Sequence, residues 1–296
     1  MPPISVVGHT ATDHIFLVPG LPEKNHSTII LDHQVFFGGG AANIAAGIAK
    51  LGGQSELVSC VGDDFNGGAY DRWMDSLGIT KRLFHVEGAN SSSCFLYNDQ
   101  AGDQVTYFEW GASRHFQTAE APNLPFVHMA TADPEFNVKI AAQSEFTSFD
   151  PGQDLLLYSK EQLTSIIDNA DILFANEFEV NGMVKTIGIT KKQLAESVPL
   201  AIFTRGKNGS EIFFDGNVHT IPVVPVELKD PTGAGDAYRA GFLTAYKQGI
   251  DALTAAKIGT VTASFAVESV GCQTNLPTWD ETLVRYRQHF GNLPTQ

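Results

Sequence analysis

The chain is poor in cysteine, in positive charge and in long apolar runs. Of 296 residues 3 are Cys, and Cys60, Cys94 and Cys272 lie far apart with no Cys-x-x-Cys pair. That excludes a disulfide framework and a zinc site built on Cys spacing, and a reducing cytoplasm is expected. Lys plus Arg total 19 against 33 Asp plus Glu, a formal net charge of -14. A chain so short of basic residues is not expected to bind a nucleic-acid polymer, which needs a basic face, or to dock on an anionic membrane. No stretch approaches the roughly 20 apolar residues of a membrane helix. Residues 1–10, MPPISVVGHT, have no basic region ahead of an apolar run, so no signal peptide is expected.

What is present is a globular composition, 43% hydrophobic and 18% charged, in a chain long enough for a large core. Short apolar runs at 4–7, 56–61, 126–129, 146–149, 172–175 and 200–204 read as buried strands. Helical stretches are predicted at 41–51, about 67–77, 135–144, 160–169, 191–197, 236–247, 252–267 and 279–289. Strands alternating with helices imply a mostly parallel sheet covered on both faces. Two regions break the rhythm, about 16–37 and 93–114, with β-like alternation and no helices. In the second, Asn98 to Asp103 separates two strand-like runs and predicts a hairpin. These pieces predict a small antiparallel sheet, inserted as a lid into a single domain spanning 1–296.

The run Asp230-Pro231-Thr232-Gly233-Ala234-Gly235-Asp236 precedes a helix. Pro231 keeps Asp230 out of helical geometry. Gly233, Ala234 and Gly235 expose successive N–H groups at a helix N-terminus, an anion hole made without basic side chains. Asp236, in the first turn, stands where a carboxylate can take a proton from an attacking hydroxyl. A plain turn with a capping acid accounts for these residues one at a time.

The segment Asp230 to Phe242, with Phe37-Gly38-Gly39-Gly40-Ala41-Ala42-Asn43-Ile44-Ala45 through Leu51-Gly52, resembles the two signatures of the ribokinase (PfkB) family of sugar and nucleoside kinases. Val7 to Ala11, Phe149 to Asp154 and Gly271 to Trp279 resemble the archaeal-type broad-specificity nucleoside kinases of that family. The resemblance covers essentially the whole chain. It implies an α/β fold, a ribokinase-like three-layer sandwich with a mostly parallel central sheet and a small antiparallel β lid. It also implies an ATP-dependent nucleoside kinase, passing the γ-phosphate of ATP to the 5′-hydroxyl of inosine, guanosine, adenosine or cytidine. A free-sugar kinase (ribokinase or phosphofructokinase-B-like) and a binding protein without activity on the same scaffold are the competing readings.

The resemblance makes Asp236 the base and Gly233, Ala234 and Gly235 the donors to the transferring phosphoryl group. Gly38, Gly39, Gly40 and Asn43, with Asp13, would hold the ribose: glycines admit a sugar close to the backbone, and an acceptor-only carboxylate selects a diol. Asp150 and Gln153 follow a strand end and could reach the acceptor. Asn176 and Glu179 match an Asn-x-x-Glu element expected to organise Mg²⁺ through water, although an Asn cap with an acidic first turn reads the same way. Thr204, Arg205, Gly206 and Lys207 would lie by the ATP phosphates, and residues 256–271, ending at Gly271, along its adenine and ribose. Asp230, Thr232 and Gly271 resemble positions lining a K⁺ site in some members. Phe95, Tyr107, Phe108 and Trp110 lie on the expected lid, where flat rings suit a nucleobase. His9, His14 and His128 lack metal-ligand spacing and are read as non-catalytic. Lid edges in this family often pair between subunits, so a homodimer is expected.

Overall fold

The computed structural model describes residues 2–101 and 103–294. The chain opens with β1 (Ile4–Val7), β2 (Ala11–Val18), β3 (Asp32–Gly38), α1 (Gly40–Lys50), β4 (Ser55–Val61), α2 (Ala69–Ser76) and β5 (Thr80–His85). Next come β6 (Ser92–Asp99), β7 (Gln104–Glu109), β8 (Val127–Met129), α3 (Pro134–Gln143), β9 (Thr147–Phe149) and α4 (Lys160–Ile167). The remainder is β10 (Ile172–Asn176), α5 (Glu177–Ile187), α6 (Lys191–Glu196), β11 (Leu200–Thr204), β12 (Ser210–Phe214), β13 (Asn217–Ile221), α7 (Ala234–Lys247), α8 (Ala252–Ala266) and α9 (Trp279–Phe290).

Nine strands form the main sheet in the order β13-β12-β11-β10-β9-β8-β1-β4-β5. From β11 to β5 every pairing is parallel; β12 and β13 close one edge antiparallel. The apolar strands are buried on both faces, because successive side chains point to opposite sides. In β10, Ile172 and Phe174 enter one core with residues of α1, α7 and α8, while Leu173 and Ala175 enter the other with residues of α3, α4 and α5. Helices therefore cover both faces, which makes three layers. Among the described residues no helix is long and apolar enough to cross a membrane.

The strand order reverses between β1 and β8: β1 leads outward to β4 and β5, and β8 to β9, β10 and β11. The crevice at the carboxyl ends of the strands around such a switch point is where open α/β sheets bind ligands. Above it lies the small sheet, in the order β3-β2-β6-β7. Its outer pairs, β2–β3 and the expected β6–β7 hairpin, are antiparallel, and they meet through a parallel β2–β6 pairing that the expected antiparallel sheet did not include. In the β6–β7 turn Asp99 accepts the N–H groups of Ala101 and Asp103; Gly102 of the expected hairpin lies outside the described residues.

Several elements differ from the sequence pattern. β2 starts at Ala11 rather than near Phe16, since an inward polar residue, Asp13, masks its alternation. α5 is a helix beyond those in the strand–helix pattern, and its start is the Asn cap with acidic first turn that Asn176 and Glu179 also allow, here a capping box. The β12–β13 hairpin is a further addition to the strand–helix pattern. It turns at Asp215-Gly216, both with positive φ (49° and 72°), the backbone that Asp-Gly turns favour.

α1 and α7 lie side by side on one face of the sheet. A Cβ on Gly47 would sit 2.6 Å from the Cβ of Ala240, so the helices approach as closely as they do only because Gly47 has no side chain. Gly47→Ala is expected to lower stability by about 1–3 kcal/mol through overpacking. The double variant Gly47→Ala/Ala240→Gly, which moves the methyl group across the contact, should recover most of that loss in thermal melts.

Candidate active site

A cavity of about 1250 Å³ runs from the inner face of the small sheet, over the strand ends, to the N-terminus of α7 and the side of α8. Asp13, Gly39, Gly40, Asn43, Asp150, Gln153, Asn176, Glu179, Thr204, Arg205, Gly206, Lys207, Gly233, Ala234, Gly235 and Asp236 all line it. Gly38 and Gly271 stand behind the wall. A Cβ on Gly38 would lie 2.1 Å from the Asp13 carboxylate, and one on Gly271 2.5 Å from the Phe36 ring. Gly38 thus makes room for Asp13, while the Gly271 N–H donates to Asp230 Oδ2 at 3.1 Å. Asp230 Oδ1 accepts the N–H of Thr232 at 2.9 Å, which ties the motif loop to the Gly271 turn.

The motif enters α7 through Gly233, whose φ of 77° suits glycine and whose missing Cβ leaves room for Cys272. The helix begins at Ala234, two residues before the position read from the sequence. The Ala234 N–H turns back onto Pro231 O at 3.2 Å. The N–H groups of Gly233, Gly235 and Asp236 have no acceptor among the described residues, so these three are the donors open to an anion.

Asp236 is half-buried at the cavity wall. Its Oδ2 accepts a 2.9 Å hydrogen bond from Asn43 Nδ2, and Arg239 Nη1 lies 3.8 Å from its Oδ1. Burial pushes its pKa up to about 6, against the opposing pull of Arg239 and Asn43, so the group is mostly ionised at neutral pH. Arg239 lies within the Asp230 to Phe242 segment, three residues after Asp236. That spacing puts both on one helix face. The buried guanidinium pairs with Asp150 at 2.5 Å, and a Cβ on Gly235 would lie 2.5 Å from it, so Gly235 gives it room.

Asn176 and Glu179 close on each other. Glu179 Oε2 accepts the Asn176 backbone N–H at 2.6 Å, its Oε1 accepts Asn176 Nδ2 at 2.8 Å, and the Asn176 side-chain oxygen accepts the Glu179 N–H at 2.9 Å. Burial and the neighbouring Asp150 push the Glu179 pKa up to about 8. Arg205 is held by Glu211 at 3.2 Å, whereas Lys207 is exposed and has no carboxylate partner among the described residues.

The acceptor end is built from β1, β2 and the small sheet. Asp13 is buried, and Cys272 Sγ lies 3.7 Å from its Oδ2. Burial, then the charge of Asp236, pushes the Asp13 pKa up to about 7. Asn43 has its oxygen engaged by Gln273 at 2.9 Å and one N–H by Asp236, which leaves its other N–H for a ligand. Phe108 and Trp110 line the cavity, while Phe95 stacks on His14 and Tyr107 is 63% exposed. Alternation along β6 and β7 divides the four rings between the two faces of the sheet. His9, read as non-catalytic, lines the cavity too. Its ring lies 4.8 Å from Phe108 and 4.9 Å from Trp110, and its Nε2 is 3.0 Å from Asp154 Oδ2. Only the end of a strand announced it.

Asp13 and Asp236 bind protons more tightly folded than unfolded, so the folded state holds extra protons above the ordinary carboxylate range. Their contribution to stability is therefore lost as pH rises from about 4 through about 7. Asp13→Asn should make the decline in the ligand-free Tm across this window shallower than in the parent. Thermal melts at stepped pH check this, and an unchanged slope would contradict it.

Residues 1–279 match the profile of the pfkB family carbohydrate kinases. The chain is 44% identical over 296 residues to the nucleoside kinase of Methanocaldococcus jannaschii, covering 98% of each. The crystal structure of M. jannaschii nucleoside kinase, an archaeal member of the ribokinase family, matches with a TM-score of 0.92 at 43% identity, over 98% of this chain and 99% of that one. A Burkholderia thailandensis nucleoside kinase in complex with ADP-inosine matches with a TM-score of 0.86 at 27% identity, over 99% and 97% of the two chains. With both glycine motifs on one cavity wall and agreement along nearly the whole chain, the protein belongs to the pfkB (ribokinase) family, phosphotransferases that act on a hydroxyl acceptor.

Proposed function

We propose that the protein is an ATP-dependent nucleoside kinase that phosphorylates the 5′-hydroxyl of a ribonucleoside. The observation that carries this reading is the position of Asp236. The Asp236 carboxyl lies in the first turn of α7 beside N–H groups with no acceptor among the described residues, and on the same cavity as Asp13 and Asn43. The Asp13 carboxylate and the remaining Asn43 N–H hold the ribose diol. Asp236 takes the 5′-hydroxyl proton as that oxygen attacks the γ-phosphorus of ATP, and the bond to the leaving ADP oxygen breaks. The N–H groups of Gly233, Gly235 and Asp236 receive the charge on the transferring oxygens. Phe108 and Trp110, with His9 against them, present flat surfaces to the nucleobase, and the small sheet acts as the lid of a single kinase domain. The names of the relatives support the nucleoside as acceptor.

Lys207 and the Thr204 to Gly206 turn lie on the donor side of the cavity. Among the described residues no group of three or more His, Cys, Asp or Glu side chains converges to hold a metal ion. Both oxygens of Glu179 are occupied by Asn176. This donor set fits Mg²⁺ carried on the nucleotide phosphates and met by Asn176 and Glu179 through water. When bound, the cation neutralises charge on the β- and γ-phosphate oxygens. Activation by K⁺ near Asp230 belongs to the same reading. So do a homodimer through the edge strands of the small sheet, β3 and β7, where Val35 and Tyr107 are exposed, and a cytoplasmic location, in keeping with three free buried cysteines.

The test is a kinase assay with ATP and Mg²⁺ on inosine, guanosine, adenosine and cytidine beside ribose and fructose 6-phosphate. Nucleosides should turn over fastest; preference for a free sugar rejects the acceptor assignment. Asp236→Asn should lose all but a trace of turnover, more than about 10³-fold, while binding nucleoside as the parent does.

A further inference from the structure

We propose that Gln273 is a positioning residue for the phosphoryl-acceptor site, acting through Asn43 on Asp236. The inference rests on the role assigned to Asp236 above, and it concerns the polarity of one buried hydrogen-bond chain.

The chain begins at Trp73 on α2, whose Nε1–H donates to Gln273 Oε1 at 2.9 Å. Gln273, in the turn after α8, donates from Nε2 to Asn43 Oδ1 at 2.9 Å. Asn43, on α1, donates from Nδ2 to Asp236 Oδ2 at 2.9 Å. The other Gln273 N–H goes to the hydroxyl of Tyr70 at 2.7 Å, and that hydroxyl donates to Gly38 O at 2.8 Å. Gln273, Asn43 and Tyr70 are all buried.

A carboxamide is nearly symmetric in shape but not in chemistry, since one end only accepts and the other only donates. Shape alone leaves Asn43 free to turn its oxygen toward Asp236. The two ends of the chain decide the matter. The Trp73 indole N–H can only donate, and an ionised Asp236 can only accept. With those ends set, each amide between them has one orientation that satisfies every contact. A flip of either puts two oxygens or two N–H groups face to face in a buried place, which is costly. Tyr70 takes up the remaining Gln273 N–H, so no alternative partner competes for it.

The consequence reaches the reaction. Asn43 presents an N–H to the base, and its second N–H stays on the cavity side for the acceptor. The groups facing Asp236 are Arg239 from its own helix, Asp150 after β9, Asp13 from β2, Asn43 from α1, Tyr70 from α2 and the Cys272 thiol after α8. The Tyr70 hydroxyl and the Cys272 thiol are held neutral by burial, and Asn43 is the neutral side chain that hydrogen-bonds Asp236 directly, so its effect depends on its orientation. With Asn43 reversed, its oxygen would repel the carboxylate that its N–H now stabilises.

Gln273→Glu keeps the size, but its carboxylate has no N–H to give Asn43 and favours the reversed amide. Trp73→Phe keeps the ring and removes the donor that orients Gln273. With the acceptor that the substrate panel identifies, Gln273→Glu should lower kcat by about 10- to 100-fold, the scale for a misplaced catalytic group. The KM for ATP should stay within about two-fold of the parent, since ATP meets other residues. The acid limb of kcat against pH should move upward by about half to one unit, as Asp236 loses a donor. Trp73→Phe should move both in the same direction by less. In an Asn43→Ala background, Gln273→Glu should cost little more, because the two act in series. Thermal melts establish that each variant is folded. If Gln273→Glu fails to fold, Trp73→Phe and its pH profile decide the matter. Folded variants with unchanged kcat and acid limb, or costs that add fully with Asn43→Ala, overturn the proposal. Turnover that survives Asp236→Asn instead overturns the assignment of the base, so the two failures are distinct.

Discussion

A single guanidinium lets three carboxyl groups share one enclosed pocket. Arg239 is buried beside Asp150 and Asp236, and its charge also reaches Glu179. Burial alone would drive each acid toward its neutral form; an opposite charge within a few ångströms resists this. The outcome differs among the three because the distribution of charge is uneven. Asp150 takes the direct ion pair. Asp236 is left moderately basic and mostly ionised at neutral pH. Glu179, also facing Asp150, holds its proton into the neutral range. Acid and base chemistry in one pocket thus depends on a residue placed three positions after the base, on the same helix face.

The acidity of the whole chain bears on phosphate binding in the same way. At a net charge of -14 the molecule offers no broad basic surface. The cavity nevertheless holds an anion-binding element, because the first turn of any helix carries N–H groups without internal acceptors. Here Gly233 and Gly235 keep that turn bare of side chains, and Gly235 also leaves room for Arg239. Exposed negative charge more than a Debye length away is largely screened by salt and opposes those donors little. The acidic composition therefore excludes polyanion binding by a charged face without excluding a nucleotide held by backbone groups and a divalent cation.

Much of the architecture was legible before any coordinates. Buried parallel strands read as short continuous apolar runs, and the helices between them as periodic stretches, because both faces of such a sheet are covered. Elements that failed to show were those whose local signal is divided. Asp13 interrupts β2 with an inward carboxylate, α5 begins inside a motif that had another reading, and β12–β13 is an edge hairpin announced mainly by Asp215-Gly216. At the site, the glycines, Asn43 and Asp236 show in the sequence because each belongs to a contiguous motif, and Asp13 because it follows the first strand at a position the resemblance assigns to the ribose. His9, Asp154 and Gln273 also lie in segments that carry the resemblance, but their roles come from partners far away in the chain.

The sequence by itself determined the repertoire: a helix N-terminus stripped of side chains, a carboxylate in its first turn, a second glycine motif with an amide three residues on, and too little positive charge for a polyanion surface. These are properties of contiguous residues, governed by backbone geometry and local chemistry. Only the tertiary structure decided how the parts face one another. It brought Asn43 to Asp236 by packing α1 against α7 at a glycine, set Arg239 among three acids, and divided the aromatic residues of the small sheet between the cavity and the outside. Those relations depend on distances between segments far apart in the chain, and burial and charge act through such distances.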